Sequence, residues 1–340
     1  MKRVVLKKPG SLSFESCDEP VPGPGDVLIT VRACGICGSD VHAYLGKHPL
    51  VKYPVTPGHE FSGEVVAAGG DVHSELLGSR VCVEPSLACG HCPLCKSGRY
   101  NICGNLRVLG FQADGAMCEK IAVPRDRVHL LPPGVDFKGG ALAEPAAVGI
   151  HALARSGAGP GGWILVVGAG VIGLMITRAA KALGCRVAVI ENNQERVGRA
   201  LEFGADEALL FDEEPPGTTR GEPAGAGLQA VFECVGKPET MDLAVRLAPR
   251  GSTVVVVGVF PRPVPVPVSL VQDGELDVKG ALMYTGEDFE KALDLIAGGL
   301  IEPGDFITHT VGLDEVERGY RLLTDPKAPT VKVLVEYDGG

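Results

Sequence analysis

Short runs in which apolar and polar residues alternate fill the first third of the chain. Lys2–Leu6, Val27–Ala33, Phe61–Ala68, Arg80–Glu84, Met117–Val123 and Val128–Leu131 each predict a β-strand, and Pro20, Pro22, Pro24, Pro54 and Pro57 punctuate them. Together they predict a compact, mostly-β domain up to about residue 135. The pattern changes near Leu142, where helix formers running to Ala154 lead into a second region. From Trp163 to Met283 apolar runs alternate with amphipathic stretches, as in a doubly wound α/β fold with a parallel sheet covered by helices. A last segment, Thr285 to Val335, predicts helices at Phe289–Ala297 and Val316–Leu323 and a strand at Val331–Val335. Glu213–Gly227, rich in Pro, Gly and Thr, predicts a solvated loop. Pro261–Val268, with Pro at alternate positions, predicts extended edge structure. No internal repeat is visible.

Composition narrows the class. A chain of 340 residues suits two domains and can bury its core without disulfide staples. The net charge of −10, with scattered basic residues, argues against a nucleic-acid or anionic-membrane surface. The basic N-terminus is not followed by a signal-like apolar run. The longest apolar stretch, Trp163 to Ile176, is interrupted by Gly168, Gly170 and Gly173 and falls short of the ~20 residues of a spanning helix. The expectation is a soluble cytoplasmic protein with neither nucleic-acid nor membrane partners. The 11 cysteines are locally clustered, a pattern that points to metal rather than to a disulfide framework.

Three groups of residues carry chemistry. In the first, the strand from Ile164 runs into Gly168-x-Gly170-x-x-Gly173 and then into a helix beginning at Val171 and Ile172. The glycines allow a tight turn and close approach of the backbone to a pyrophosphate, while the helix N-terminus supplies free N–H groups. A second strand, Arg186–Ile190, ends in Glu191, about 20 residues past Gly170, where a carboxylate binds the ribose hydroxyls and repels a 2′-phosphate. NAD is the expected cofactor. Arg196 can pack over the adenine or remain a solvated helix-surface residue.

The second group is Cys89, Cys92, Cys95 and Cys103, spaced C-x2-C-x2-C-x7-C. Four thiolates in one short loop suit a closed tetrahedral zinc site. An iron–sulfur cluster competes, but the ferredoxin run has a final spacing of three followed by Pro, and this chain has neither. The third group begins at the end of a predicted strand: Cys34, Cys37, Ser39, Asp40 and His42, with His59 and Glu60 following and Glu144 further on. Cys34 and Cys37 form a redox pair in one reading. In the other, Cys37 and His59 ligate a catalytic zinc whose third ligand is Glu60 or Glu144.

Gly35–His42, Gly58–Glu60, the four-cysteine loop, Ala143–His151, Gly168–Gly173, Phe232–Gly236 and Lys279–Thr285 occur in the order found in the zinc-dependent medium-chain alcohol dehydrogenases. Nearly the whole chain resembles that family, and is most similar to its sorbitol, threonine and butanediol dehydrogenase branch. The resemblance implies a GroES-like catalytic domain over 1–146 and 285–340, a Rossmann domain over 147–284, and NAD and substrate held between the two. It implies two zinc ions per chain, one structural and one catalytic. It places the catalytic zinc on Cys37, His59 and a carboxylate from Glu60 or Glu144. A proton relay falls on Ser39 and, through the nicotinamide ribose, His42. The cofactor is lined by Cys234, Val235, Gly236, Val257, Gly258 and Val259, with Met283 and Tyr284 closing over it.

The implied reaction is reversible oxidation of a small secondary alcohol, such as a polyol, vicinal diol, sugar acid or hydroxy amino acid, by a homotetramer or homodimer. Sorbitol dehydrogenases have Arg-Tyr where this chain has Met283-Tyr284, and His-Tyr where it has His42-Ala43. These departures argue against sorbitol itself, although Tyr44 offers a phenol nearby. The alternatives are a regulatory relative that binds NAD and zinc without turnover, and a zinc-ribbon nucleic-acid module, which the acidic charge disfavours.

Overall fold

The computed structural model describes residues 1–72, 74–211, 227–325, 328 and 330–337. The first part of the chain contains β1 (Lys2–Lys8), β2 (Ser11–Ser16), β3 (Asp26–Ile36), α1 (Gly38–Tyr44), β4 (Glu60–Ala68), β5 (Arg80–Val83), β6 (Ser86–Leu87), α2 (Pro93–Lys96), β7 (Arg107–Val108), β8 (Lys120–Pro124) and β9 (Val128–Leu130). There follow α3 (Phe137–Ser156), β10 (Trp163–Val167), α4 (Val171–Ala182), β11 (Arg186–Glu191), α5 (Gln194–Glu202), β12 (Glu207–Leu210), β13 (Leu228–Glu233), α6 (Pro238–Leu247), β14 (Thr253–Val256), α7 (Val268–Asp273) and β15 (Asp277–Gly280). The last part holds α8 (Gly286–Ala297), α9 (Pro303–Phe306), β16 (Ile307–Gly312), α10 (Val316–Thr324) and β17 (Lys332–Glu336).

The chain divides into two compact units: Met1–Glu144 with Thr285–Gly340, and Pro145–Tyr284. In the first, a seven-stranded sheet has the order β16-β17-β3-β4-β5-β9, with β8 also pairing with β3. The long strand β3 is its centre, since its alternate residues Val27, Ile29 and Val31 are buried and join Phe61, Val65, Val81, Met117 and Tyr320 in one core. Strand β17 returns from the far end of the chain to lie antiparallel to β3, pairing Val333 with Ile36. This register sets the neighbours of the site.

The second unit is a six-stranded sheet of order β12-β11-β10-β13-β14-β15 in which every pairing is parallel. Its strands are buried apolar runs such as Ile164–Val167 and Val187–Ile190, as a sheet covered on both faces requires. Strand order reverses between β10 and β13, the kind of switch point outside whose carboxyl ends open α/β sheets bind ligands.

Several elements differ from expectation. Helix α3 begins at Phe137 rather than Leu142 and runs through Gly139, Gly140 and Pro145. A Cβ on Gly140 would lie 2.8 Å from both Leu131 and Ser62, so packing there requires glycine despite its poor helix propensity. Strand β8 starts at Lys120, because Met117 is tied instead to the Pro57 carbonyl. Strands β2 and β16 carry too many polar residues to stand out as apolar runs. Pro261–Pro267 forms no strand and leads into α7. Except for Gly227, the Glu213–Gly227 stretch lies outside the described residues. Among the described residues no helix is long and apolar enough to cross a membrane.

Candidate functional site

Strand β3 ends at Ile36, and Cys37 becomes the N-cap of α1, so the thiol sits where a sheet strand turns into a helix. Antiparallel pairing sets Glu60, the first residue of β4, opposite Gly35. A Cβ on Gly35 would come within 2.1 Å of Glu60 Oε2, so only glycine lets the carboxylate reach the strand end. His59 precedes it, 5% exposed. Cys37, His59 and Glu60 each bring one donor atom to within 4.8 Å of the others. Glu144 lies in the middle of α3, buried, so the helix macrodipole does not account for it. Cys34 stays outside this cluster with its Sγ near the Gly35 carbonyl, and complete burial holds the thiol well above its ordinary pKa.

Three further residues frame the cluster. Asp40 is fully buried; one carboxylate oxygen accepts the Cys37 N–H at 2.9 Å and the other stands 3.5 Å from His59 Nδ1. Asp40 Oδ1 and His59 Nδ1 have no closer hydrogen-bond partner among the described residues. Lys332 on β17, 2% exposed, places Nζ 2.7 Å from each Glu60 carboxylate oxygen and 3.5 Å from the Ile36 carbonyl. Phe111 lies between two imidazoles, its ring 4.9 Å from that of His59 and 4.5 Å from that of His48. Sequence reasoning gave none of these three a role. Asp40 stood inside the quoted motif, whereas Lys332 and Phe111 are brought in only by the fold.

The electrostatics follow from burial and charge. Burial opposes a charged His59, but Asp40 and Cys37 outweigh it and raise its pKa well above the ordinary imidazole range. The negative charge of Asp40 beside the His59 ring would equally favour a cation there. The thiolate, imidazole and carboxylate donors suit zinc, and Asp40 stands where it can orient the ligating ring. For Lys332, burial is again the largest influence and lowers the pKa, yet Glu60, Cys37 and Glu144 raise it above the usual lysine value. Ser39 Oγ lies 3.5 Å from His59 Nε2. His42, three residues along α1, is exposed, and desolvation together with Lys47 lowers its pKa. Tyr44 packs against Tyr320 with the two rings tilted by 47° and their centroids 5.1 Å apart.

In the four-cysteine loop, Cys89–Cys95, Cys92–Cys95 and Cys92–Cys103 sulfurs are 3.8, 3.5 and 3.9 Å apart. Four sulfurs at ~2.3 Å from a central zinc would form a tetrahedron with edges of ~3.8 Å, so the loop already has the dimensions of a zinc site built from four thiolates. The His91 and Cys92 backbone groups lower the Cys89 pKa to about 6, whereas burial and the neighbouring thiols push Cys95 up to about 12.

In the second unit, Gly168 has φ +103°, and a Cβ on Gly173 would lie 2.0 Å from the Gly168 carbonyl oxygen. Gly170, the N-cap of α4, has nothing within 4 Å of its Cβ position, leaving room for a phosphate beside the helix N-terminus at Val171 and Ile172. Glu191 is buried at the end of β11 and accepts N–H groups from Ala169 at 2.9 Å and Asn192 at 2.7 Å. Arg196 is half-exposed and 3.9 Å from Glu191. Cys234–Gly236 follow β13 and Val257–Val259 follow β14, with Val235 and Val259 exposed. Met283 has φ +50°, and Tyr284 is fully buried.

Comparison with known proteins agrees with this architecture. Residues 23–133 match the alcohol dehydrogenase GroES-like domain, and residues 171–298 match the zinc-binding dehydrogenase domain. The chain is 31% identical over 343 residues to the sorbitol dehydrogenase of Bacillus subtilis, covering 98% of this chain and 97% of that protein. It is 35% identical over 313 residues to the L-galactonate-5-dehydrogenase of Escherichia coli, covering 91% of each. An E. coli alcohol dehydrogenase (rspB) solved with NADH superposes with a TM-score of 0.92 at 33% identity, covering 99% of both chains. The chain therefore belongs to the zinc-dependent medium-chain alcohol dehydrogenases, with a GroES-like domain and a Rossmann-like domain, and is an oxidoreductase.

Proposed function

We propose that this enzyme reversibly oxidises a small secondary alcohol of the polyol, vicinal-diol, sugar-acid or hydroxy-amino-acid class to the ketone, with NAD as hydride acceptor. The observation that carries the reading is the convergence of Cys37, His59 and Glu60 donor atoms within 4.8 Å at the end of β3, with the Ser39 hydroxyl beside them. These three residues would hold the catalytic zinc, and Cys89, Cys92, Cys95 and Cys103 the structural one. Zinc in the first site supplies Lewis acidity toward the substrate hydroxyl. Glu144, close enough to influence Lys332, is the second carboxylate available to the site.

Ser39 Oγ, 3.5 Å from His59 Nε2, would take the substrate's hydroxyl proton as it passes on its own. His42, whose pKa desolvation and Lys47 lower, would receive the proton by way of the nicotinamide ribose and release it to solvent. Phe111 lies against His59 and restricts water on that side. On the cofactor, the Gly168–Gly173 turn would receive the pyrophosphate and Glu191 the adenosine ribose hydroxyls, a placement that excludes a 2′-phosphate. A homo-oligomer in the cytoplasm, a tetramer or a dimer, completes the reading.

The test is NAD⁺ reduction across a panel of secondary alcohols, diols, polyols, sugar acids and hydroxy amino acids, with metal analysis expecting two zinc ions per chain. Ser39→Ala should lower kcat by roughly 10²-fold without changing zinc content. Unchanged turnover in that variant would remove Ser39 from the relay. Zinc-replete protein inactive on the whole panel would favour the regulatory alternative.

A further inference from the structure

We infer that Glu233, a residue with no part in the reading above, is the positioning residue that shapes the nicotinamide end of the cofactor site; the inference rests on the NAD-dependent reading. Glu233 is the last residue of β13, on one side of the point where strand order reverses. Ligands of such sheets bind outside the strand carboxyl ends at that reversal. Glu191 stands at the end of β11, on the far side of β10, and would hold the adenosine half. A dinucleotide crossing the Gly168–Gly173 turn from there brings its other half over the loops that leave β13 and β14.

Glu233 binds both of those loops. Its side chain is fully buried, and Oε1 accepts the N–H groups of Val235 at 2.9 Å and Gly236 at 2.8 Å and the Thr240 hydroxyl at 2.7 Å. Its own carbonyl accepts the N–H groups of Val257 and Gly258, each at 2.9 Å. Five donors from two loops and the first turn of α6 therefore meet on one residue. Three donors on a single oxygen suit the concentrated charge of a carboxylate, although any acceptor oxygen there can engage them. The other oxygen, Oε2, has no hydrogen-bond partner among the described residues.

The loops touch so closely that nothing else can separate them. A Cβ on Gly258 would lie 2.3 Å from Gly236 N and 2.4 Å from Glu233 Oε2, and one on Gly168 would lie 2.5 Å from Val235 Cγ2. Movement of the 234–236 loop therefore shifts the 257–259 loop. The loops present exposed Val235 and Val259 side chains, apolar surface suited to the face of a nicotinamide ring.

The experiment compares NADH with ADP-ribose, which lacks the nicotinamide, by fluorescence and calorimetric titration of the zinc-loaded full chain. Glu233→Ala removes the acceptor that ties Val235 and Gly236 in place, so its NADH Kd should rise by roughly tenfold or more while that for ADP-ribose stays within about twofold. Glu233→Gln keeps an acceptor oxygen for those donors and should recover most of the NADH affinity. Gly258→Ala keeps the residue Glu233 but presses a Cβ on Gly236 N and on Glu233 Oε2 and so forces the loops apart; it should reproduce the selective loss, and it decides the matter if Glu233→Ala does not fold. Wild-type NADH affinity in Glu233→Ala, or equal loss of both ligands in both variants, overturns the inference. A wild-type protein that binds ADP-ribose but not NADH would instead remove the NAD-dependent reading, and the inference with it.

Discussion

Replacing Lys332 with Met keeps most of the side-chain volume and removes the ammonium, which makes it the sharpest test of how the site is held. Nζ lies 2.7 Å from each oxygen of Glu60, and the two side chains are 2% and 1% exposed. Such a pair gives little net stability over an apolar replacement, but deleting one partner leaves a charge uncompensated in the interior, at a cost of about 3–5 kcal/mol. In a unit of roughly 200 residues this corresponds to a fall in Tm of about 6–20 °C. Scanning calorimetry of the protein as purified and after chelation would read it, the chelated sample showing the larger loss because no metal can neutralise Glu60. The double variant Lys332→Met/Glu60→Gln should recover most of the stability. A fall below ~2 °C after chelation, in the range of an exposed pair, or a double variant no more stable than the single one, would refute the reasoning.

Cys37→Ser should remove one zinc per chain and the activity, whereas Cys34→Ser should retain both; equal losses would point back to a redox pair. Glu191→Ser removes the carboxylate proposed to face the ribose, so the ratio of kcat/KM for NAD⁺ to that for NADP⁺ should fall by about tenfold or more, and an unchanged ratio would displace Glu191 from that role. His129 is packed against Glu84 and Glu290; burial lowers its pKa, but the two carboxylates outweigh burial and raise it. The stability it contributes is therefore complete below ~6.5, the unfolded histidine value, and is lost as pH rises through the raised folded value. The stability difference between wild type and His129→Gln should narrow over that interval, and a gap that widens with pH would contradict the assignment.

The long periodic segments were legible in the sequence because their burial follows one simple period. The strand-turn-helix at Gly168–Gly173 and the central strand β3 are of this kind. The four-cysteine spacing was legible because its chemistry is local. Lys332 was not, for a physical reason. In Lys332-Val-Leu-Val-Glu336 the alternation puts Lys332 and Glu336 on the face shared with Leu334, which reads as a solvent face, yet β17 lies between β16 and β3 and its first residue meets a buried carboxylate 272 residues away. Phe111 was invisible for a similar reason, since its contacts with His48 and His59 depend on how three separate loops pack. Glu233 lies within the Phe232–Gly236 motif but had no role, because only the sheet order brings Val257 and Gly258 to a residue whose other three donors are local.

The partnership of Glu60 with Lys332 also bears on the order in which the molecule is made. A ribosome adding roughly 5–20 residues per second takes ~15–55 s to pass from one to the other. During that interval β3 and β4 exist, but the strand that neutralises Glu60 does not. The whole of the unit from Pro145 to Tyr284 is synthesised in the meantime and has every one of its own strands. The partner of Glu60 in the first unit is thus made last, although most of that unit's chain is made first, and only after the second unit has been synthesised.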